Sequence, residues 1–251
     1  MPALMQALAL TAAAIGLAGI LSLGGPAGEE QRPPAPAAPG APALAPPPPP
    51  PAELAGRIDL KGKDGTVAPA VGVVVWVEGA APSAPASPIV TSQNKRFTPH
   101  VIAVSTGSSV TFPNVDPIFH NVFSRTPGSE FDLGLYRRGA RRSIKLARPG
   151  LVRVYCNIHP EMAAYVMVLD GAGYAVTGDD GTFLVRGIPP GRHAVRLWSE
   201  RGGESESALV FRPGGRQRLD TVLDASSYRA AAHKNKFGQD YPPVARDVDR
   251  Y

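Results

Sequence analysis

Cysteine is almost absent from this chain: Cys156 is the single cysteine among 251 residues. A lone cysteine excludes an internal disulfide, and a free thiol outside the cytoplasm is open to oxidation. We therefore expect something to occupy or shield Cys156, and a bound metal ion would do both.

Charged side chains are absent from residues 3–23, which are rich in Ala, Leu, Ile and Gly. This composition is typical of an export signal, although no Lys or Arg precedes the apolar run. The run is also about 20 residues long, which is the length of a membrane span. The sequence predicts export to a bacterial periplasm, with residues 1–27 either a signal peptide cleaved near Ala27 or an N-terminal membrane anchor.

Proline is concentrated in one segment: many of the 28 prolines lie between Pro33 and Pro51. Such a segment favours an extended polyproline conformation over a packed element. Residues 28–52 are therefore predicted to be a Pro-rich linker, which is either a tether for a soluble head or a disordered spacer.

Positive charge is in modest excess, with a formal net charge of +5. One group of basic residues is neither interleaved with aromatics nor placed on a predicted helix, so nucleic-acid binding is not expected. The group is either a set of solvated positions or a docking face for an acidic redox partner. Its members are Arg137, Arg138, Arg141, Arg142, Lys145, Arg148 and Arg153.

Helical periodicity of useful length is absent before Ala225. From Gly56 onward, short runs rich in Val, Ile, Phe and Tyr alternate with turn residues such as Asp64 with Gly65. The pattern predicts an all-β sandwich architecture with no large helices. The predicted strands are 57–60, 72–78, 101–105, 109–112, 121–124, 151–156, 164–169, 182–186, 192–198 and 218–223.

Cys156, His159 and Met162 form a C-x-x-H-x-x-M pattern between two predicted strands. In so short a loop the three side chains can converge on one ion. Thiolate, imidazole and thioether are soft donors that suit copper, and two His with Cys plus a weak axial Met is the electron-transfer arrangement. The pattern therefore predicts a type 1 (blue) copper site.

The second imidazole is predicted to come from His120, which opens a strand after the loop 114–119. We expect this ligand to lie on a distant strand and to tie the two sheets of a sandwich together. In the alternative interpretation, His120 and His159 are partly buried structural residues, Cys156 is an inert core thiol and Met162 is core filler.

Residues 97–170 resemble the cupredoxins, the plastocyanin and amicyanin family. The resemblance implies a Greek-key sandwich with one copper ion per chain, cycling between Cu(I) and Cu(II), and it implies that Asn121 braces the ligand loops by hydrogen bonds. It also implies that His120, Cys156 and His159 are equatorial ligands and Met162 the axial one. Electrons would pass at the exposed edge of His159, with an apolar rim of Ile118, Phe119, Ile158 and Pro160. The residues that carry the resemblance are Phe97, Pro99, Gly107, Val110, Phe112, Pro113, Asn114, Asp116, His120, Asn121, Cys156, His159, Pro160 and Met162.

Residues 174–197 are similar to carboxypeptidase regulatory-like modules, which are small Ig/prealbumin-like β-sandwiches. The resemblance is carried by Asp180, Gly181, Pro189, Pro190 and Gly191. One hypothesis is a split module, with halves at 53–87 and 170–224 and a copper domain at 88–169 inserted between them. In the other, residues 56–80 are the first strands of the cupredoxin itself. Together the arrangement resembles periplasmic proteins labelled methylamine-utilisation or plastocyanin-like.

His100, His193 and His233 have no Cys or Met at ligand spacing, so they are predicted to be surface residues. The tail, residues 225–251, is predicted to be a strap over the sandwich or to be disordered. Within it, Lys234, Lys236 and Phe237 could dock a partner.

These features predict a periplasmic one-electron carrier whose partner is a c-type cytochrome or a periplasmic oxidoreductase with an acidic docking face. An enzyme is not expected, because the His-x-His pairs of multicopper oxidases and nitrite reductases are missing. The alternatives are a copper-handling or delivery protein and a structural Ig-like module with a non-redox copper site.

Overall fold

Strands make up all the regular structure of residues 46–230 and 232–242, the part of the chain that the computed structural model describes. The predicted all-β class is therefore confirmed for those residues. No helix among them is long and apolar enough to cross a membrane, and residues 3–23, the predicted signal or anchor, lie outside the described part. The strands are β1 (Ala52–Lys61), β2 (Val67–Pro69), β3 (Val74–Glu78), β4 (Thr91–Gln93), β5 (Arg96–Thr98), β6 (Val101–Ser105), β7 (Ser109–Pro113), β8 (His120–Ser124), β9 (Phe131–Tyr136), β10 (Arg141–Lys145), β11 (Gly150–Tyr155), β12 (Ala163–Leu169), β13 (Ala172–Val176), β14 (Thr182–Ile188), β15 (Gly191–Ser199), β16 (Gly203–Phe211) and β17 (Arg216–Asp224).

Every predicted strand has a counterpart, but several strands were missed. β9, β10 and β16 lie at sheet edges, and most of their side chains are exposed or half-buried. An edge strand with a solvated face needs few apolar residues, so β10 and the first half of β16 are too polar for the apolar alternation used to recognise strands. β9 was missed although Phe131, Leu133 and Leu135 alternate with Asp132 and Gly134.

The strands form two sandwiches. In the first, here called the flanking sandwich, the sheet β14-β1-β17 packs on the sheet β13-β3-β15-β16. In the second, the inserted sandwich, the sheet β6-β12-β11-β8-β9 packs on β10-β7 and on the hairpin β4-β5. A third apolar cluster joins the two sandwiches, and it includes Val74 and Trp198 from one and Val101 and Met167 from the other.

Strand β12 is apolar along most of its length because both of its faces are buried. Val166 and Val168 point into the core of the inserted sandwich, whereas Met167 and Leu169 point into the cluster between the sandwiches. Successive side chains of a strand alternate between faces, so an unbroken apolar run is needed where both faces are covered.

The first strands of the chain pair with the last ones. β1 lies between β14 and β17, and β3 lies between β13 and β15. Within the described residues, neither β1 nor β3 pairs with a strand of the inserted sandwich. The domain boundaries and the likeness of the flanking sandwich to carboxypeptidase regulatory-like modules stay predictions.

Gly56 allows β17 to approach the centre of β1. A Cβ atom at this position would lie 1.8 Å from the carbonyl oxygen of Leu219 and 3.0 Å from the Phe183 ring. Only a residue without a side chain fits there, so this glycine is required by packing rather than by a turn.

Candidate metal centre

His120 is the first residue of β8, and Cys156 directly follows the end of β11. These two strands are neighbours in the same sheet, paired at Phe123 and Tyr155. The expectation that His120 ties two sheets together is therefore wrong. Adjacent strands of one sheet present both residues, which fixes their separation through the backbone pairing.

His120, Cys156 and His159 come together at one end of the inserted sandwich. The Cys156 Sγ atom lies 3.8 Å from Nδ1 of His120 and 3.7 Å from Nδ1 of His159. One ligand atom from each residue lies within 4.8 Å of the other two. A thiol and two imidazoles at such separations can bind one thiophilic ion jointly, and this donor set suits copper.

Met162 is completely buried in the same core as Cys156. Two backbone hydrogen bonds close the loop between them: Met162 N–H donates to His159 O at 3.1 Å, and Cys156 N–H donates to Met162 O at 3.2 Å. The loop thus returns Met162 to the side of Cys156. Its role as the axial ligand stays a prediction.

Backbone groups surround the Cys156 sulfur. Burial raises the pKa of the thiol, whereas hydrogen bonds from the backbone N–H groups of Asn121, Ile158 and His159 lower it and so partly offset the burial. Hydrogen-bond donors directed at a sulfur favour its thiolate form, which is the form that binds metals. Because burial outweighs these bonds, the pKa of the thiol in the metal-free chain stays raised, and the three N–H groups reduce the cost of forming the thiolate without removing it.

Asp116 orients His120, and the sequence did not reveal this role. His120 Nε2–H donates to Asp116 Oδ2 at 2.7 Å, and this bond turns Nδ1 of the same ring toward the Cys156 sulfur. The backbone N–H groups of Asn94 and Lys95 donate to the same carboxylate. Burial alone would raise the pKa of Asp116, but these bonds and the bond from His120 lower it. Asp116 is among the residues that carry the resemblance to cupredoxins, but no role for its side chain was predicted from the sequence.

Asn121 makes two different contacts near the cluster. Its backbone N–H faces the Cys156 sulfur, and its side-chain Nδ2 donates to Asp132 Oδ1 on β9 at 2.6 Å. Its Oδ1 atom is buried and has no hydrogen-bond partner among the described residues. The side chain thus bonds to β9, not to the ligand loop as expected.

His159 is half-buried and lies at the edge of the cluster. Burial lowers its pKa, and so does the nearby His120. The predicted rim is partly open to solvent: Ile118, Ile158 and Pro160 are half-buried, and Phe119 is 36% exposed.

Next to this rim, Pro117 and Phe119 line a surface depression of about 540 Å³ together with Arg137 and Arg138. Hydrogen bonds between Gly139 N–H and Asn114 O, and between the Asn114 side chain and Ile118 O, fix the arginine-bearing turn against the loop that precedes His120. Neither arginine has an ion-pair partner among the residues described.

Of the other three histidines, His100 is exposed as predicted, whereas His193 and His233 are half-buried. His100 is exposed but pairs with Glu200 at 2.6 Å. His193 is half-buried, and its Nδ1 bonds to the Glu78 carbonyl. His233 is half-buried and stacks on Tyr155, so its prediction as a surface residue is wrong.

No protein-family model and no curated protein matches the chain. Among solved structures, 35% of the chain is similar to 23% of the copper-containing nitrite reductase NirK from Thermus scotoductus SA-01, at 24% identity and a TM-score of 0.32. The chain therefore spans less than a quarter of that enzyme. Similarly, 33% of the chain covers 99% of a purple cupredoxin from Nitrosopumilus maritimus, at 21% identity and a TM-score of 0.29. In a third match, 33% of this chain covers 82% of a reduced amicyanin variant, at 23% identity and a TM-score of 0.31.

Proposed function

We propose that the chain binds one copper ion in a type 1 (blue) site and carries single electrons between periplasmic redox proteins. The observation that carries this proposal is the cluster itself: one buried thiol has an imidazole Nδ1 at 3.7 Å and another at 3.8 Å. His120, Cys156 and His159 would hold the ion, with Met162 as the axial ligand.

Copper bound there would supply a one-electron couple between Cu(II) and Cu(I). Residues of the chain would hold the ligand side chains in place while the charge of the copper ion changes. Asp116 holds the His120 ring, and three backbone N–H groups hold the Cys156 sulfur. Because strands and a closed loop fix these groups, little rearrangement is needed when an electron arrives or leaves.

Burial favours an electron carrier over an enzyme. His120, Cys156 and Met162 have no measurable exposure, and His159 is the one member of the proposed ligand set that reaches the edge. Such a site has no open position for a substrate, whereas an electron can pass through the His159 edge.

The surface around that edge supports a partner with acidic groups, such as a c-type cytochrome or a periplasmic oxidoreductase. Phe119 provides apolar contact area, and Arg137 and Arg138 provide unpaired positive charge beside it. Charge complementarity of this kind speeds the encounter between proteins. The same rim supports a second candidate, copper delivery, because an acceptor could reach His159 directly.

The first test is the spectrum of the purified full chain after addition of Cu(II). We expect intense blue absorption and narrow copper hyperfine splitting in the EPR spectrum. Both should be lost in Cys156→Ser and in His159→Gln, and both should persist in the control His193→Gln, which changes a histidine of the flanking sandwich.

Three other outcomes would contradict the proposal. If wild type binds copper no better than Cys156→Ser, the copper site does not exist and a structural module is left. If His193→Gln loses the colour as well, the assignment of ligands is wrong. If the loaded protein gives copper readily to a chelating acceptor but exchanges electrons slowly with a reduced c-type cytochrome, copper delivery is the function.

A further inference from the structure

The segment 232–242, here called the C-terminal tail, lies against the loop that carries Cys156 and His159. Tyr241 donates its hydroxyl hydrogen to the Cys156 carbonyl at 2.7 Å. His233 Nε2–H donates to the Pro160 carbonyl at 2.7 Å, and Lys236 N–H donates to Asn157 Oδ1 at 3.0 Å. The tail therefore supplies donors to three residues of the loop.

The tail also reaches the other side of the cluster through Lys236. Lys236 Nζ lies 2.7 Å from Asp132 Oδ2, and the second oxygen of the same carboxylate accepts the Asn121 side chain at 2.6 Å. Arg125 in turn donates to the Lys236 carbonyl at 2.9 Å. Asn121 directly follows His120, so one tail residue is connected to both ligand-bearing segments.

Three aromatic rings pack beside Cys156. The His233 ring stacks on Tyr155 with 3.8 Å between centroids and 15° between planes. Tyr241 packs edge-on against His233, with 5.2 Å between the two ring centroids. Since Tyr155 is the last residue of β11, the stack lies at the point where the ligand loop begins.

The internal hydrogen bonds of the loop involve only part of its backbone. Two backbone–backbone bonds join Met162 to His159 and Cys156 to Met162, and the N–H groups of Ile158 and His159 bond to the Cys156 sulfur. The carbonyls of Cys156 and Pro160 point outward to the tail. Without the tail, the loop would keep its internal bonds but lose these external ones, so it would shift more easily, and any shift would change the distances from the Cys156 sulfur to the two imidazoles.

We propose that the C-terminal tail is a clamp on the metal centre, in which Tyr241, His233 and Lys236 are positioning residues that hold the ligand loop and slow the loss of the metal. This inference rests on the proposed copper site for its consequence, but the clamp itself is a property of the metal-free chain. It assigns the tail a role in the site and not in partner docking.

The sharpest variant is Tyr241→Phe, which keeps the ring packed on His233 and removes only the hydroxyl that bonds to Cys156. Its matched control is Tyr228→Phe. Tyr228 also follows β17 in the chain, but its hydroxyl donates to Glu200 and not to the ligand loop. In the copper-loaded full chain, we expect transfer of Cu(I) to bicinchoninate to be about 10-fold faster in Tyr241→Phe. The same variant should shift the visible absorption maximum, and Tyr228→Phe should leave both properties unchanged.

A copper-independent measurement separates this inference from the proposed function. In the metal-free chain, amide hydrogen exchange of Ile158, His159, Glu161 and Met162 should be faster in Tyr241→Phe than in wild type or in Tyr228→Phe. Lys236→Met should also speed exchange, because it removes the ion pair with Asp132. Lys236→Arg should keep exchange as slow as in wild type, because a guanidinium can still pair with Asp132.

The outcomes are distinct. If wild type shows no copper absorption but the exchange pattern is as described, the clamp stands and the copper function fails. If wild type is blue and both tyrosine variants match it in copper transfer and exchange, the clamp is wrong. If Tyr241→Phe does not fold, the comparison of Lys236→Met with Lys236→Arg decides in the same way.

Discussion

Nε2 of His120 and Oδ2 of Asp116 are 2.7 Å apart, and both side chains are nearly inaccessible, at 0% and 8% exposure. Removing the charge of this carboxylate should weaken metal binding, because the imidazole would lose the partner that fixes its orientation and its proton. We expect Asp116→Asn to lower copper affinity about 10-fold. Competition with a chelator of known affinity measures the change.

Asp180→Asn is the control for Asp116→Asn. Asp180 accepts hydrogen bonds from Thr182 in an exposed turn of the flanking sandwich and has no hydrogen bond to the cluster residues. Its replacement should leave copper affinity unchanged. Equal affinities for wild type and Asp116→Asn would show that the carboxylate does not support the ligand.

Met162 and Met167 are both buried, but they lie in different clusters. Truncation of either to Ala should lower the free energy of unfolding by about 2–5 kcal/mol, because each leaves a cavity. If Met162 is the axial ligand, only Met162→Ala should also change the EPR spectrum and the reduction potential. Identical spectra for the two variants would make Met162 a core residue alone.

Arg137 and Arg138 should attract an acidic redox partner. The double variant with Glu at both positions should lower the rate constant of electron exchange with an acidic c-type cytochrome about 10-fold at low ionic strength. The difference should disappear as salt is added, because salt screens exposed charges. Stopped-flow measurements at several salt concentrations provide the test.

The control for charge reversal is Arg212→Glu. Arg212 is exposed in the turn between β16 and β17 of the flanking sandwich. It changes the net charge without touching the depression beside Phe119. A similar loss of rate in this variant would mean that overall charge, and not the proposed surface, controls the encounter.

His100 and Glu200 should make stability depend on pH. The hydrogen bond to Glu200 raises the pKa of His100 above 6.5. Burial alone would raise the pKa of Glu200, but hydrogen bonds from His100, Tyr228 and Tyr165 lower it below 4.5. The contribution of His100 is complete below pH 6.5 and is lost as pH rises through its folded pKa, whereas that of Glu200 is lost as pH falls through its own.

The stabilising effect of this pair should therefore be largest between pH 4.5 and 6.5. The unfolding free energy of wild type relative to His100→Gln should fall as pH increases above this window. Denaturant titrations at several pH values measure it. In a Glu200→Gln background the same difference should be nearly independent of pH, and a slope that persists there would exclude the pair as its source.

Gly56→Ala should destabilise the flanking sandwich by about 3 kcal/mol or more, because the new methyl group would overlap the Leu219 carbonyl and β17 would have to move. Gly178→Ala is the control, since its nearest neighbour would lie at an ordinary 3.6 Å. That variant should cost less than about 1 kcal/mol. Denaturant midpoints compare the two, and equal midpoints would mean that β1 and β17 tolerate greater separation.

The local parts of this molecule were predictable, and the non-local parts were not. Cys156 and His159 lie within one short loop, so their spacing was enough to bring them together. His120 was found because the donor set needs a second imidazole and His120 opens a predicted strand after a loop. The strand of His120, β8, lies next to β11 in the sheet. No local sequence pattern specifies this strand order.

Contacts made by polar residues across long sequence separations were the hardest to predict. The hydrogen bond from Tyr241 to Cys156 joins residues 85 positions apart, and neither segment carries a periodic signal for it. The tail could be described from the sequence only as a strap or as disorder. Asn121 was expected to bond to the ligand loop, but its side chain bonds to Asp132 on β9, a strand that was not predicted.

The order of strands has a consequence for folding. Glu78 at the end of β3 and Ala172 at the start of β13 are direct partners on adjacent strands, and the whole inserted sandwich lies between them in sequence. Closing so long a loop before it is structured would cost on the order of 4 kcal/mol of chain entropy. If the inserted sandwich folds first, it delivers its two ends side by side, and β3 and β13 can pair without that cost. We therefore expect the segment that carries the metal ligands to act as the template on which the rest of the chain assembles.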